Sequence, residues 1–321
     1  MEMMDALKSV RTRFRAYQLG QAGASYSYFA NQHFTLVEGM ATDINITQVR
    51  REMEICGKES VDTLHITSWD NDHCSSSGLK WILEALRPSR IEYPGYPPHT
   101  DSARSCLQAI RSYQAIRRNT GVKVIAQCMD PPYLQSLESG KKLGYRNIVY
   151  HPKELRESSN DNSTVKLFRE GSFNVASLGD VEDPAIAAML RRCTIFNRET
   201  DVLILAHHGA DNGFTTRRFL KEVEPRVAIC TSNYDNHFDH PRQEIKDMLF
   251  ERGIRIFTTK HGDVIIESVP PHTGKYRVVN LKSNSTQISS AYEYEAKKRK
   301  LLSMNGDTLR NIYKPGFKGL K

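Results

Sequence analysis

The sequence is poor in cysteine and pairs none of it. Six cysteines, Cys56, Cys74, Cys106, Cys128, Cys193 and Cys230, lie scattered, with no two in a Cys-x-x-Cys spacing. A disulfide framework or a structural zinc knuckle is therefore excluded as the basis of the fold, and reduced, mostly buried thiols are expected. No apolar run approaches the roughly 18 to 20 residues that span a bilayer, so no membrane association is expected. The opening MEMMDALKSVRTRFRAYQLG has basic residues but neither the apolar block nor the small-residue cleavage site of a secretory signal. A cytoplasmic location is the expectation. No internal repeat is present.

What is there suits a globular protein. The chain has 321 residues, enough for one large domain or a domain with an appendage. Lys and Arg outnumber Asp and Glu to give a formal charge of +8. A basic surface favours polyanions such as nucleic acid, although a mildly basic balance is common and decides nothing alone.

Apolar and polar periods alternate along the chain. Phe14 to Met40 reads as short hairpin strands separated by Gly, Ala and Asn turn signals. INITQVRREMEICG reads as a helix stopped at Gly57, VDTLHIT as a strand running into the loop SWDNDHCSSSG, and GLKWILEALR as a helix. The Pro- and Gly-rich segment from Ser89 to Asp101 reads as a loop. Beyond it come a helix capped by Asp101 or Ser102, the strand VKVIAQC, and an irregular polar stretch. Strands and helices then alternate through STVKLF, FNVASLGD, DPAIAAMLRRC, DVLILAHHG, TTRRFLKEVEP, RVAICTS and HPRQEIKDMLFERG to IRIFTT and DVIIES. This alternation predicts an α/β architecture. The segment after Ser268 is basic and weakly apolar, and is expected to be a flexible or peripheral arm. The expected division is a main domain over 1–268 and a basic extension over 269–321.

Four loops at strand ends carry the candidate chemistry. In Ser68-Trp69-Asp70-Asn71-Asp72-His73, carboxylates and an imidazole fall within four positions. Alternate residues of a short loop can face one pocket, and such donors suit Zn²⁺ or Mn²⁺; a solvated polar turn is the other reading. Asp180 leaves a strand after Gly179. His207 and His208 end an apolar strand ahead of Gly209. The stretch from Asn233 to Pro241, with His237 and His240, is dense in Asn, Asp and His. Strand ends feeding loops are where α/β folds build sites.

The order DxDH, GD, HHG and HP resembles the metallo-β-lactamase superfamily, and within it the hydrolase domain of the ComEC/Rec2 competence proteins. The resemblance runs from about Phe14 to Glu267. LGQAGASYSYF with LVEG resembles the opening hairpin of that branch, LHITSWDNDHCSSSGL its metal loop, DNSTVKLF its Asn-x-Ser strand, AHHGADNGFT and SNYDNHFDHP its later loops, and TTKHGDVIIES its closing strands. It implies a four-layered αββα sandwich binding one or two divalent ions, zinc or manganese. It implies Asp72 and His73 as ligands of the second metal, Asp180 as a bridging carboxylate, His207 as a further ligand, and a metal-bound hydroxide as nucleophile, oriented by Asp72. His240 would meet substrate phosphate or act as an acid. Ser68 and Asp70 stand where the family carries histidines, so the first metal position is thinned. Asp70 is retained as a candidate ligand, with Ser68, His208 and Asn233 beside His240 as candidate substrate contacts. Ala210 replaces the serine of the family's HHGS loop.

The resemblance and the basic balance together favour a phosphodiesterase acting on nucleic acid, a DNA nuclease in particular. The basic run Lys297-Lys298-Arg299-Lys300, with Tyr292 and Tyr294 nearby, is a candidate grip on backbone and bases; a solvated helix end reads it equally well. A hydrolase of a cyclic nucleotide, lactone or thioester, and a non-catalytic scaffold, are the alternatives. Oligomeric state and partner proteins are not legible in the sequence.

Overall fold

The computed structural model describes residues 9–139, 146–235 and 238–299. Among them, strands β1 (Thr12–Ala16), β2 (Tyr26–Ala30), β3 (His33–Val37), β4 (Thr63–His65), β5 (Arg90–Pro94) and β6 (Ile125–Met129) form one sheet together with β13 (Val264–Ser268), β14 (Lys275–Leu281) and β15 (Ile288–Glu295). Its order is β15-β14-β13-β1-β2-β3-β4-β5-β6. A second sheet runs β12-β11-β10-β9-β8-β7, from β7 (Ile148–His151), β8 (Val165–Phe168), β9 (Val175–Ser177), β10 (Val202–Ile204), β11 (Val227–Cys230) and β12 (Arg255–Thr258). Strands β3 to β6 are parallel, as are β9 to β12.

Period-two alternation explains why the sheets lie back to back. In β1 and β2, Phe14, Ala16, Tyr26 and Tyr28 face Val175, Val202, Ile204, Val227 and Ile229 of the second sheet in one buried cluster. The residues between them point outward. Phe29, Phe34, Leu36 and Leu64 pack with helices α1 (Ile46–Ile55), α2 (Ser76–Ala85) and α3 (Asp101–Asn119). On the far side Leu203, Ala228 and Cys230 pack with α5 (Pro184–Arg192), α6 (Thr194–Glu199), α7 (Arg217–Val223) and α8 (Gln243–Glu251). Three apolar clusters between four layers make an αββα sandwich. A further helix, α4 (Pro131–Ser139), follows β6 at the sheet edge.

Three readings of the sequence differ from this. The segment from Ser89 is not all loop: Arg90–Pro94 forms β5, with Ile91 buried outward and Glu92 inward. Pro94 and Gly95 follow so closely that they mask its alternation. The irregular polar stretch contains α4 and β7. The segment after Ser268 is no peripheral arm over its described part, because β14 pairs with β13 from Tyr276 to Asn280 and β15 pairs with β14.

The basic run is built into the fold as well. Lys297 Nζ donates to the carbonyls of Asn197, at 2.5 Å, and Val223, at 2.6 Å. Lys298 is buried and donates to Asn174 Oδ1 at 2.8 Å and to the Gly171 carbonyl. Tyr294 stacks on Tyr276, and the Arg255 guanidinium lies 3.5 Å over Tyr292. These groups meet protein rather than presenting a free grip; Lys300 and the residues after it lie outside the described residues.

Candidate metal centre

The loop after β4 is shaped by main-chain hydrogen bonds. The Asp70 carbonyl accepts from His73 N at 2.9 Å and Cys74 N at 2.8 Å, closing a turn. Asp72 and His73 are then pinned from outside the loop: the Asp72 carbonyl accepts from Ala24 N at 2.9 Å and the His73 carbonyl from Gly39 N at 2.7 Å. The Ser75 hydroxyl caps α2 by accepting from Gly78 N, so the loop ends on a rigid helix.

Asp180 reaches the same place from β9. It follows Gly179, whose φ of +58° is left-handed, and a Cβ there would sit 2.8 Å from Ser163 Cβ. Pro184 and the Asp183 cap start α5 directly afterwards. From the end of β10, His207 and His208 both take left-handed backbone, with φ of 44° and 53°. Gly209 follows at φ +85° against Pro241.

These three strand ends bring together Asp72, His73, Asp180 and His208, each offering one ligand atom within 4.8 Å of the others. His73 Nε2 lies 2.8 Å from Asp180 Oδ2. His208 Nε2 lies 3.3 Å from Asp72 Oδ2 and 3.7 Å from Asp180 Oδ1. His73, Asp180 and His208 are buried, and Asp72 is about one-third exposed at its side chain. His73 Nε2, Asp180 Oδ1 and His208 Nε2 make no aligned hydrogen bond. Buried polar atoms without such partners are costly and rare. Three of them converging on one point, each with a lone pair to offer, fit a divalent cation.

The far side of each imidazole is held. His208 Nδ1 lies 2.6 Å from the Thr231 carbonyl. A carbonyl only accepts, so Nδ1 carries a proton and Nε2 faces the cluster. His73 Nδ1 lies 3.1 Å from Glu38 Oε1. Glu38 is buried and itself accepts from Thr67 N at 3.0 Å and Thr67 Oγ1 at 2.6 Å. Outer partners of this kind fix ring orientation and raise ligand basicity.

The electrostatics point the same way. Burial works against charge on His73, but the carboxylates of Asp180, Glu38 and Asp72 outweigh it and raise its pKa well above the usual imidazole value. His208 is raised too, against burial, chiefly by Asp180 and Asp72. Burial pushes Asp72 and Asp180 upward, yet His73 and His208 hold both below the usual carboxylate range. Without an ion the two imidazoles thus take up protons in the field of the carboxylates. A cation binding there would displace those protons, as ligand sets do.

The other expected residues lie around this cluster. His207, expected as the ligand, is not among the four; its Nδ1 lies 2.5 Å from Glu182 Oε1. His208, expected at the substrate, stands among the four instead, because the left-handed turn points the second imidazole inward. His240 stacks with Phe238, and its ring centre is 5.7 Å from that of His207. Burial first, then the imidazoles of His207 and His208 and the guanidinium of Arg242, push His240 down to about 4, so it is uncharged at neutral pH. Asp70 stands outside the four, its Oδ2 accepting from Ser68 Oγ at 2.7 Å. Asn233 is partly buried in the loop after β11, whose residues 236 and 237 lie outside the described residues. Sequence reasoning missed Glu38, Glu182 and Thr231 as orienting groups. Glu38 stood in the LVEG segment, but nothing local marks a strand-end glutamate as the partner of a histidine 35 positions away.

Curated relatives align over most of the chain. It is 24% identical to ComE operon protein 3 of Bacillus subtilis over 227 residues, covering 69% of this chain and 26% of that protein. It is 22% identical to competence protein ComA of Neisseria gonorrhoeae over 230 residues, covering 72% and 28%. The chain is thus similar to these competence proteins over about two thirds of its length or more, and its two back-to-back sheets with helices outside are the αββα arrangement that the sequence resemblance implies. It spans about a quarter of the length of these two relatives. No family model matches it. Among solved structures, Igni18, a metallo hydrolase from Ignicoccus hospitalis, is similar at 12% identity and a TM-score of 0.43, covering 79% of this chain and 98% of that one. A CmlA β-hydroxylase variant is similar at 11% identity and a TM-score of 0.42, covering 78% and 53%.

No helix among the described residues is long and apolar enough to cross a membrane.

Proposed function

We propose that this chain is a metal-dependent hydrolase, and that its substrate is a phosphodiester of nucleic acid, DNA in particular. The observation that carries the first part is the convergence of His73 Nε2, Asp180 Oδ1 and His208 Nε2, buried and without aligned hydrogen bonds, beside Asp72. The second part is supported by the likeness to competence proteins and by the formal charge of +8.

Asp72, His73, Asp180 and His208 would hold the ion. A divalent ion bound there supplies Lewis-acid activation of water and charge neutralisation at a phosphate, and zinc and manganese both suit the mixed donors. The protein's own groups then do the rest. Glu38 and the Thr231 carbonyl hold the imidazoles in register. Asp72, the most exposed of the four, faces the opening and orients the attacking water. His207, aligned by Glu182, and the uncharged His240 line the flank where a phosphate would enter; the uncharged ring of His240 has one N–H to offer its oxygens. Asn233 adds a polar group on the same side.

Single- and double-stranded DNA incubated separately with Mn²⁺, Mg²⁺, Zn²⁺ and EDTA, beside Asp180→Ala, tests this. Cleavage that needs an ion and disappears in the variant is expected. Absence of cleavage by a protein that holds the ion would refute the DNA assignment and shift the substrate class to a small ester, such as a cyclic nucleotide or lactone. Undiminished cleavage by Asp180→Ala would refute the assignment of the site, and a protein without ion or activity would be a scaffold.

A further inference from the structure

Asp70 sits two residues from Asp72 on the same loop, and it is bound up in a different way. The Trp69 N–H donates to Tyr96 Oη at 2.9 Å. Tyr96 Oη lies 2.9 Å from Ser68 Oγ, and Ser68 Oγ lies 2.7 Å from Asp70 Oδ2. Ser68 Oγ donates its proton to Asp70 Oδ2, so towards Tyr96 it can only accept, and Tyr96 gives its own proton to Ser68. The direction of every hydroxyl in this chain is therefore set, and it ends on Asp70. Ser68 is fully buried, and Trp69 and Tyr96 nearly so. The indole Nε1 also donates to the Tyr96 carbonyl at 2.9 Å, doubling the tie between the two loops.

The contrast with the four-residue cluster is chemical. There, buried lone pairs converge with no aligned hydrogen bond among them. At Asp70, the carboxylate already has a donor, and no other set of three or more metal-ligating side chains gathers around it among the described residues. A second ion would have Asp180 to share and, beyond it, only Asp70, which stands outside the group of four and is tied back towards Tyr96 through Ser68.

We propose that the site takes a single divalent ion, held by Asp72, His73, Asp180 and His208, with Asp70, positioned by the Tyr96–Ser68 hydroxyl pair, outside its coordination. This rests on the metal-binding part of the function proposed above and settles how many ions that function uses. Tyr96 and Ser68 are then positioning residues for Asp70, not ligands.

The test is the ion count of the full chain, stripped with chelator and titrated with Mn²⁺ and, separately, Zn²⁺. Elemental analysis after gel filtration and native mass spectrometry give the number of ions, and calorimetry the affinity. The wild type should saturate at one ion per chain with either metal. Asp70→Ala should still bind one ion with unchanged affinity. Asp180→Ala should lose at least the 10- to 100-fold in affinity that loss of an outer partner alone costs, roughly. Two ions in the wild type, or weakened binding in Asp70→Ala, would overturn the single-ion inference while leaving the hydrolase reading intact. No ion bound by a folded wild type would overturn both. Should Asp70→Ala fail to fold, Asp70→Asn gives the same comparison, since it removes the carboxylate, keeps an oxygen to accept from Ser68 and leaves all four ligands in place.

Discussion

Glu38→Gln changes no shape and tests the idea that a buried carboxylate sets the tautomer of a metal ligand. Glu38 is fully buried at the end of β3, accepts two hydrogen bonds from Thr67, and lies 3.1 Å from His73 Nδ1. As a carboxylate it can only accept, so it draws the proton of a neutral His73 onto Nδ1 and leaves the Nε2 lone pair for the ion. A glutamine in the same place has one oxygen for the Thr67 N–H, and its amide group then faces Thr67 Oγ1 and His73 Nδ1. That amide donates. It favours the tautomer with the proton on Nε2, on the side where the ion binds. Outer-shell substitutions of this kind cost about 10- to 100-fold in metal affinity, or roughly 1.4 to 2.7 kcal/mol. Calorimetric titration of chelator-stripped protein with Zn²⁺ would read the loss, with thermal unfolding of the ion-free variant showing that it is folded. The other imidazole is a built-in control, because His208 Nδ1 is oriented by the Thr231 main-chain carbonyl, which the substitution does not touch. A folded Glu38→Gln protein that binds Zn²⁺ as tightly as the wild type would refute the tautomer argument.

Two further outcomes follow from the same geometry. Asp201 is fully buried between Asn174 N and Lys297 N, and burial, against those hydrogen bonds and the charges of Lys298 and Lys297, pushes it from 3.8 up to about 6. Its folded pKa lies above its unfolded one, so the ionised group costs stability above pH 6, about 3 kcal/mol, and the cost is relieved as pH falls from 6 towards 3.8. The wild type should therefore gain stability relative to Asp201→Asn between pH 7 and pH 4 in urea unfolding; a difference that stays flat over this range would contradict the assignment. Gly209→Ala places a Cβ 2.8 Å from Pro241 Cβ at φ +85°, adding about 1 to 2 kcal/mol of backbone strain next to His208. Both melting temperature and ion affinity should fall, and a variant unchanged in both would show that this turn has room to relax.

The layers of the fold were legible because they rest on periods. Unbroken apolar runs in RVAICTS and DVLILAHHG mark strands with two buried faces, and capped apolar helices mark what covers them. What escaped was either masked by proline, as in β5, or hidden by polar composition. Strand β15 has mostly exposed or half-exposed residues, and it belongs to the sheet through main-chain pairing, which leaves no apolar trace. The basic residues after it looked like a free cationic arm for the same reason: a sequence shows that Lys297 and Lys298 are charged, not that carbonyls of Asn197, Val223 and Gly171 stand ready to receive them.

The site divides along the same line. Residue types and their placement at strand ends picked out Asp72, His73 and Asp180, all three of which meet in the cluster. The choice between His207 and His208 could not be made that way, since both are histidines and both follow the same strand. It turns on two backbone angles and two anchors. With both residues left-handed, the chain reverses so that the Thr231 carbonyl takes His208 Nδ1 and Glu182 takes His207 Nδ1. One imidazole faces the buried carboxylates and the other the flank beside His240. The two neighbours thus reach different jobs through partners 23 and 25 positions away. Swapping them would require no change in composition, only a different turn.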